Sequence, residues 1–200
     1  MTDRTTIETY NRFASTYDKG VVDFWEEFPR GFIQQFANNL PGKKQVLDLG
    51  SGSGRDALLL QEYGLDVTCM DASTSMVDIT TSLGFESHLA TFADMPFAPQ
   101  TFDGIWAYTS LIHVPKDEAR ETIEKVHTLL KPHGLFVIGA IAGQTAGMVE
   151  RHMQGAERYF KYYEPDELKR LITPLGFRLL HEQDYQPHTS VYLNQLYLAE

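Results

Sequence analysis

Residues 46–57 read VLDLGSGSGRDA. A short apolar run with one embedded carboxylate gives way to glycine at positions 50, 52 and 54, and a helical pattern starts immediately afterwards. Glycines at alternate positions serve a backbone that takes positive φ or comes very close to something else. A buried strand that turns through such glycines into a helix is the first half of a strand–helix–strand unit, whose second strand returns parallel to the first.

The remaining pattern repeats that unit. Tyr10, Phe13 and Tyr17 share one face of a helical N-terminal region, and Trp25, Phe28, Phe32 and Phe36 share another. After QVLDLG, a helix over Arg55–Tyr63 is closed by Gly64. LDVTCMD reads as a second strand, STSMVDITTSLG as a capped helix, FESHLA as a third strand and FDGIWAY as a fourth. Lys116–Leu130 places Ala119, Ile123, Val126 and Leu130 on one side of a helix; KPHG breaks it before the strand LFVIGAI. A helix over Glu164–Leu175 precedes FRLLHEQDY and SVYLNQLYLA, two strands separated only by QPHT and therefore antiparallel. The expected fold is α/β: a mostly parallel sheet with an antiparallel C-terminal strand and helices on both faces. Two hundred residues suit one domain over 1–200, with residues 1–40 as an N-terminal helical cap.

Composition narrows the function classes. The net charge of −10 and the lack of any basic stretch longer than two residues disfavour nucleic acid and anionic membranes. No apolar run reaches the length of a membrane span, the N-terminus lacks the apolar core of a signal peptide, and Cys69 is the single cysteine, which together suggest a reducing cytoplasm. The seven histidines show no metal-ligand spacing, so no metal is expected. Ligands of such sheets sit beyond the carboxyl ends of the strands. A dinucleotide fingerprint counted from Gly50 requires glycine at 55, where Arg55 stands. Asp48 ahead of the turn suits a cationic ligand better than a pyrophosphate. Asp71, which ends strand two, fits a ribose through two charge-assisted hydrogen bonds; a helix-capping role is the structural alternative.

VLDLGSGSGRDA resembles the first motif of the class I S-adenosylmethionine-dependent methyltransferases. The resemblance continues in VTCMDAS, ATFADMPF, FDGIWAYTSLIHV and LLKPHGLFVIG, and RYFKYYEPDELKRLITPLGF is similar to the tail of small-molecule members. It implies a seven-stranded Rossmann-like sheet, S-adenosylmethionine as cofactor and S-adenosylhomocysteine as product. Gly50, Gly52 and Gly54 then pass close to the methionine moiety, with Asp48 supporting the loop or facing the ammonium. Asp71 takes the ribose. Ala72 and Met76 pack on the adenine, Asp94 and the Met95 N–H meet its edge, and Tyr10 and Tyr17 close over the cofactor. Ala107 and Tyr108 line the floor beneath the sulfonium. His113 is either a general base or a histidine bonded to backbone, and Arg55 either meets the cofactor carboxylate or is solvated.

Methyl transfer from a sulfonium is an in-line displacement in which positioning and water exclusion do most of the work. Residues 143–163, rich in Met, Tyr and Phe with Arg151, His152 and Arg158 between them, suit a lid over a small-molecule acceptor, or a surface helix packed on the sheet. The stretch after strand four lacks the Asp/Asn-Pro-Pro-aromatic signature of many amino-directed nucleic-acid methyltransferases. A nicotinamide-dependent oxidoreductase and a non-catalytic cofactor-binding protein of the same fold are the alternatives. The acceptor and the oligomeric state are not legible.

Overall fold

A computed structural model describes residues 3–17, 28, 30–150, 155–187 and 189–200. Its element order is α1 (Arg4–Tyr17), α2 (Arg30–Asn39), β1 (Gln45–Leu49), α3 (Arg55–Glu62), β2 (Asp66–Asp71), α4 (Thr74–Ser82), β3 (Glu86–Leu89), β4 (Phe102–Tyr108), α5 (Lys116–Leu129), β5 (Leu130–Ile141), β6 (Ala146–Glu150), β7 (Glu157–Lys161), α6 (Pro165–Ile172), β8 (Phe177–Tyr185) and β9 (Tyr192–Ala199). One-turn 3₁₀ segments follow β4 and α6.

Seven strands form one sheet in the order β3-β2-β1-β4-β5-β9-β8. Pairing is parallel from β3 through β5, and β9 runs antiparallel between β5 and β8. The single antiparallel strand is therefore the last one, inserted between its two neighbours, as the short QPHT connection requires. The order reverses between β1 and β4, and there the carboxyl ends of the strands leave a crevice.

Each face of the sheet is covered by helices whose apolar spacing matches their period. On one face, α5 buries Ala119, Thr122, Ile123, Val126 and Leu129, and α6 buries Leu168 and Ile172. On the other, Phe32, Ile33 and Phe36 of α2 meet Trp106 and Val137. β4 is buried along its whole length, so it reads as a continuous apolar run rather than an alternation. Helix α5 starts with Asp117 and Glu118 in its first turn, which complements its dipole.

Two expectations are revised. KPHG does not separate α5 from the strand: β5 begins at Leu130, and the pairing jumps from Phe102↔Leu130 to Gly104↔Leu135. The extra residues bulge out, with His133 at φ 63°. The described residues of the stretch 143–163 are not a surface helix; β6 and β7 form a two-stranded antiparallel sheet of their own, from Ala146↔Lys161 to Glu150↔Glu157. Trp25, Arg151, His152 and Met153 lie outside the described residues.

Candidate active site

The glycine turn folds over the end of β2. Gly50 and Ser51 both donate their N–H to the Met70 carbonyl, at 2.8 and 3.0 Å, and Gly52 N–H donates to Asp71 Oδ2 at 2.9 Å. Gly50, Gly52 and Gly54 have φ of 80°, 51° and 81°. Gly50 needs glycine for a second reason: an added Cβ would lie 2.4 Å from Ser110 Cβ in the loop after β4. Asp71 is the hub of this corner. Its Oδ1 accepts Ser73 N–H at 2.8 Å, and Ser73 caps α4 by accepting Met76 N–H. One carboxylate thus holds both the turn and the next helix start, and each oxygen retains lone-pair capacity for a ligand hydroxyl.

Three carboxylates gather beneath and beside the turn without an ion pair to any described cation. Asp48 is buried, and its Oδ2 has no hydrogen-bond partner. Burial raises its carboxyl well above the usual range, and the charges of Asp56 and Asp71 add to that. Asp56, in the first turn of α3, accepts Trp106 Nε1–H at 2.7 Å; burial pushes it up to about 7 against that bond. Burial raises Asp71 too, opposed by the N–H groups of Ser73, Gly52 and Ala72. Asp48 is buried and Asp56 and Asp71 are half-buried on the cavity wall, and carboxylates drawn out of water without a counter-charge are costly and call for a cation.

Helix α1 roofs the crevice. Asn11 Oδ1 accepts from Ser73 Oγ and Ser75 N–H at the start of α4, while Thr9 Oγ1 donates to the Glu157 carbonyl and Thr6 Oγ1 accepts Tyr159 N–H on β7. Tyr10 and Tyr17 point into the space below, their rings edge-to-face at 5.5 Å. The cavity holds about 840 Å³ with its open mouth included. Its wall brings together Tyr10, Tyr17, Gly50, Gly52, Arg55, Asp71, Ala72, Tyr108 and His113.

Other sequence candidates stand outside that wall. Asp48 lies under the turn, and Gly54 lets α3 start close against Thr80 of α4 and Leu83, which follows that helix. Met76 and Ala107 are fully buried. Asp94 is exposed in the turn after β3, accepting from Thr91 Oγ1, with Met95 packed on the core beside it. The wall also contains residues the sequence did not single out: Asp56, Phe92 and Thr109. Asp56 carried a signal, an acid in the first turn after the glycines; Phe92 and Thr109 carried none.

The polar side chains opposite the glycine turn are mostly committed. His113 Nδ1 faces the Tyr159 carbonyl and so carries the proton; Nε2 therefore accepts from the Tyr10 hydroxyl at 2.8 Å. Arg158 Nη1 donates to the same hydroxyl at 2.9 Å, its guanidinium stacked between the Tyr10 and Phe160 rings. Burial lowers His113 to about 4; the Tyr159 carbonyl opposes that and Arg158 reinforces it. Tyr108 donates to Asn194 Oδ1 at 2.8 Å and stays a neutral phenol, held so by burial. Its ring lies over Gly139 of β5, where an added Cβ would be 2.4 Å from Tyr108 Cδ2. Among the described residues no cluster of His, Cys, Asp and Glu could hold a metal, and no helix is long and apolar enough to cross a membrane.

Comparison with known proteins agrees with this geometry. Residues 46–134 match the model of a family described as a methyltransferase domain. The O-methyltransferase resE of Aspergillus sclerotiorum is 26% identical over 159 residues, covering 70% of this chain. The chain spans a little over half the length of the first curated relatives it matches, 57% and 56%. Among solved structures, the DhpI–S-adenosylhomocysteine complex superposes with a TM-score of 0.78 at 23% identity, covering 98% of this chain and 96% of that one. The 1,6-didemethyltoxoflavin-N1-methyltransferase of Burkholderia thailandensis, with 1,6-didemethyltoxoflavin and S-adenosylhomocysteine bound, gives 0.73 at 22% identity, covering 95% of this chain and 86% of that one. The chain is thus similar to a methyltransferase domain over residues 46–134, and it shares its fold with a methyltransferase solved with S-adenosylhomocysteine bound.

Proposed function

We propose that this protein transfers a methyl group from S-adenosylmethionine to a small-molecule nucleophile by in-line displacement. The observation that carries the reading is the set Asp48, Asp56 and Asp71 around a glycine turn, with no ion pair to a described cation. A cofactor bearing an ammonium and a sulfonium supplies the missing positive charge. A dinucleotide would bring a pyrophosphate into the same carboxylates, which argues against the oxidoreductase alternative. Asp71 has the spare lone pairs for the ribose hydroxyls, and Gly52 lets the backbone approach the methionine moiety.

The cofactor provides the electrophilic methyl and its own leaving group. The chain's part is to orient and to keep water out: α1 with Tyr10 and Tyr17 forms the roof, and residues 143–163 serve as the lid on the acceptor side. His113 at about 4 with both ring nitrogens engaged is a poor proton acceptor at neutral pH, so its role in this reading is to hold Tyr10. A small acceptor is favoured over a polynucleotide by the net charge of −10.

The test is incubation with methyl-labelled S-adenosylmethionine and, separately, sarcosine, a catechol, a small-metabolite extract, total RNA and DNA. Label in a low-molecular-weight product is expected. Saturable, stoichiometric labelling of RNA or DNA would overturn the small-molecule acceptor, and no transfer by cofactor-saturated protein would overturn catalysis.

A further inference from the structure

Four non-glycine residues among those described have positive φ: Lys44, Gln100, Thr109 and His133. Three precede a strand or lie in its opening bulge, away from the crevice. Thr109, at φ 51°, is the one β-branched residue of the four and the one on the cavity wall. A β-branched side chain in the left-handed region is a true outlier, and such conformations persist only where the surroundings enforce them.

Here both flanks are fixed. Thr109 N–H donates to the Gly139 carbonyl on β5 at 2.9 Å. The next residue, Ser110, donates its hydroxyl to the Leu49 carbonyl at the end of β1 and packs on Gly50. The tip of β4 is thereby clamped between the glycine turn and β5. Three neighbouring hydroxyls are spoken for, Tyr10 by Arg158 and His113, Tyr108 by Asn194 and Ser110 by Leu49, and Ser51 Oγ, which has no hydrogen-bond partner among the described residues, is buried in the glycine turn. The Thr109 hydroxyl has no hydrogen-bond partner among the described residues, and the residue is half-buried on the cavity wall.

Resting on the methyltransferase reading above, we infer that Thr109 contacts the methyl acceptor, its hydroxyl holding a protic nitrogen or oxygen nucleophile in line with the transferring methyl. A hydroxyl both donates and accepts, so it serves an amine or an alcohol equally. Its fixed backbone keeps the nucleophile oriented without rotamer search on the main chain, which is where positioning gains its rate.

The test needs no knowledge of the acceptor. Sinefungin carries an amine-bearing carbon in place of the sulfonium and its methyl, so its ammonium reaches toward whatever holds the nucleophile; S-adenosylhomocysteine lacks that group. Dissociation constants of both are measured by calorimetry for the wild-type protein, Thr109→Val and Thr109→Ser. Valine keeps the branched shape and removes the hydroxyl. The expected result is roughly tenfold or more loss of sinefungin affinity in Thr109→Val. In that variant the S-adenosylhomocysteine affinity stays within about twofold, and Thr109→Ser restores sinefungin binding. Equal effects of Thr109→Val on both ligands, or none on either, overturn the assignment. Binding of neither ligand by folded wild-type protein overturns the cofactor reading, and the assignment with it. If Thr109→Val does not fold, loss of sinefungin preference in Thr109→Ser contradicts the proposal and retention supports it.

Discussion

At the scale of single residues the site is a set of groups held in one protonation state by burial. His113 is the clearest case: its ordinary value is near 6.5, and burial brings it to about 4. A histidine whose folded value is depressed stabilises the fold fully above its unfolded value, and that contribution is lost as pH falls from 6.5 toward 4. The shift corresponds to roughly 3 kcal/mol. Burial of Asp48, Asp56 and Asp71 acts in the opposite sense, since raised carboxyls favour the folded state at low pH and lose that advantage as pH rises. The contribution of His113 is therefore read from a difference. In urea titrations at pH 7.5 and pH 5.0, the wild-type protein should lose more stability on acidification than His113→Gln. Parallel losses in the two proteins would show that His113 is not the buried neutral group described.

At the scale of elements, glycine decides how strands meet the site. Tyr108 of β4 reaches across Gly139 of β5 to Asn194 of β9, three residues at one level of the sheet. Gly139→Ala places a methyl inside the Tyr108 ring and should cost about 1–3 kcal/mol in denaturant unfolding. It should also change the fluorescence of Trp106, which stacks on Tyr108 at 5.9 Å. An unchanged midpoint and spectrum would contradict this packing. The elements themselves were largely legible, because α5 repeats apolar residues at helical spacing and β4 is an unbroken apolar run bounded by turns. β6 and β7 were not. Their stretch mixes Met148, Arg158, Phe160 and Lys161, and its burial runs against residue type. Met148 is 43% exposed, while Arg158 and Lys161 are 3% and 4% exposed. Both cations become buried by laying their charge on aromatic rings, Arg158 on Tyr10 and Phe160, Lys161 on Tyr163. That choice depends on neighbours brought from distant parts of the chain. In α1 the same limit shows: Thr6 and Thr9 are buried by pairing with β7, whereas the Tyr10 and Tyr17 face is left half-open to the cavity.

At the scale of the whole molecule, the sheet order places one crevice between β1 and β4, and each neighbouring element contributes a part of it. β1 gives the glycine turn, β2 gives Asp71, β4 gives Tyr108 and Thr109, and α1 gives the roof. The glycine turn and Asp71 were readable from spacing because one stretch of chain forms them. Phe92 and Thr109 belong to the wall only through the fold. In the proposed function those carboxylates and that turn receive a cationic adenosyl cofactor. The most direct measurement is calorimetric titration of the ligand-free protein with S-adenosylmethionine, S-adenosylhomocysteine and NAD, repeated on Asp71→Ala. The expected result is one-to-one binding of both adenosyl ligands, no measurable binding of NAD, and affinity lower by roughly tenfold to a hundredfold in Asp71→Ala. Folded protein that binds neither adenosyl ligand, or binds NAD as well as it binds them, would contradict the account.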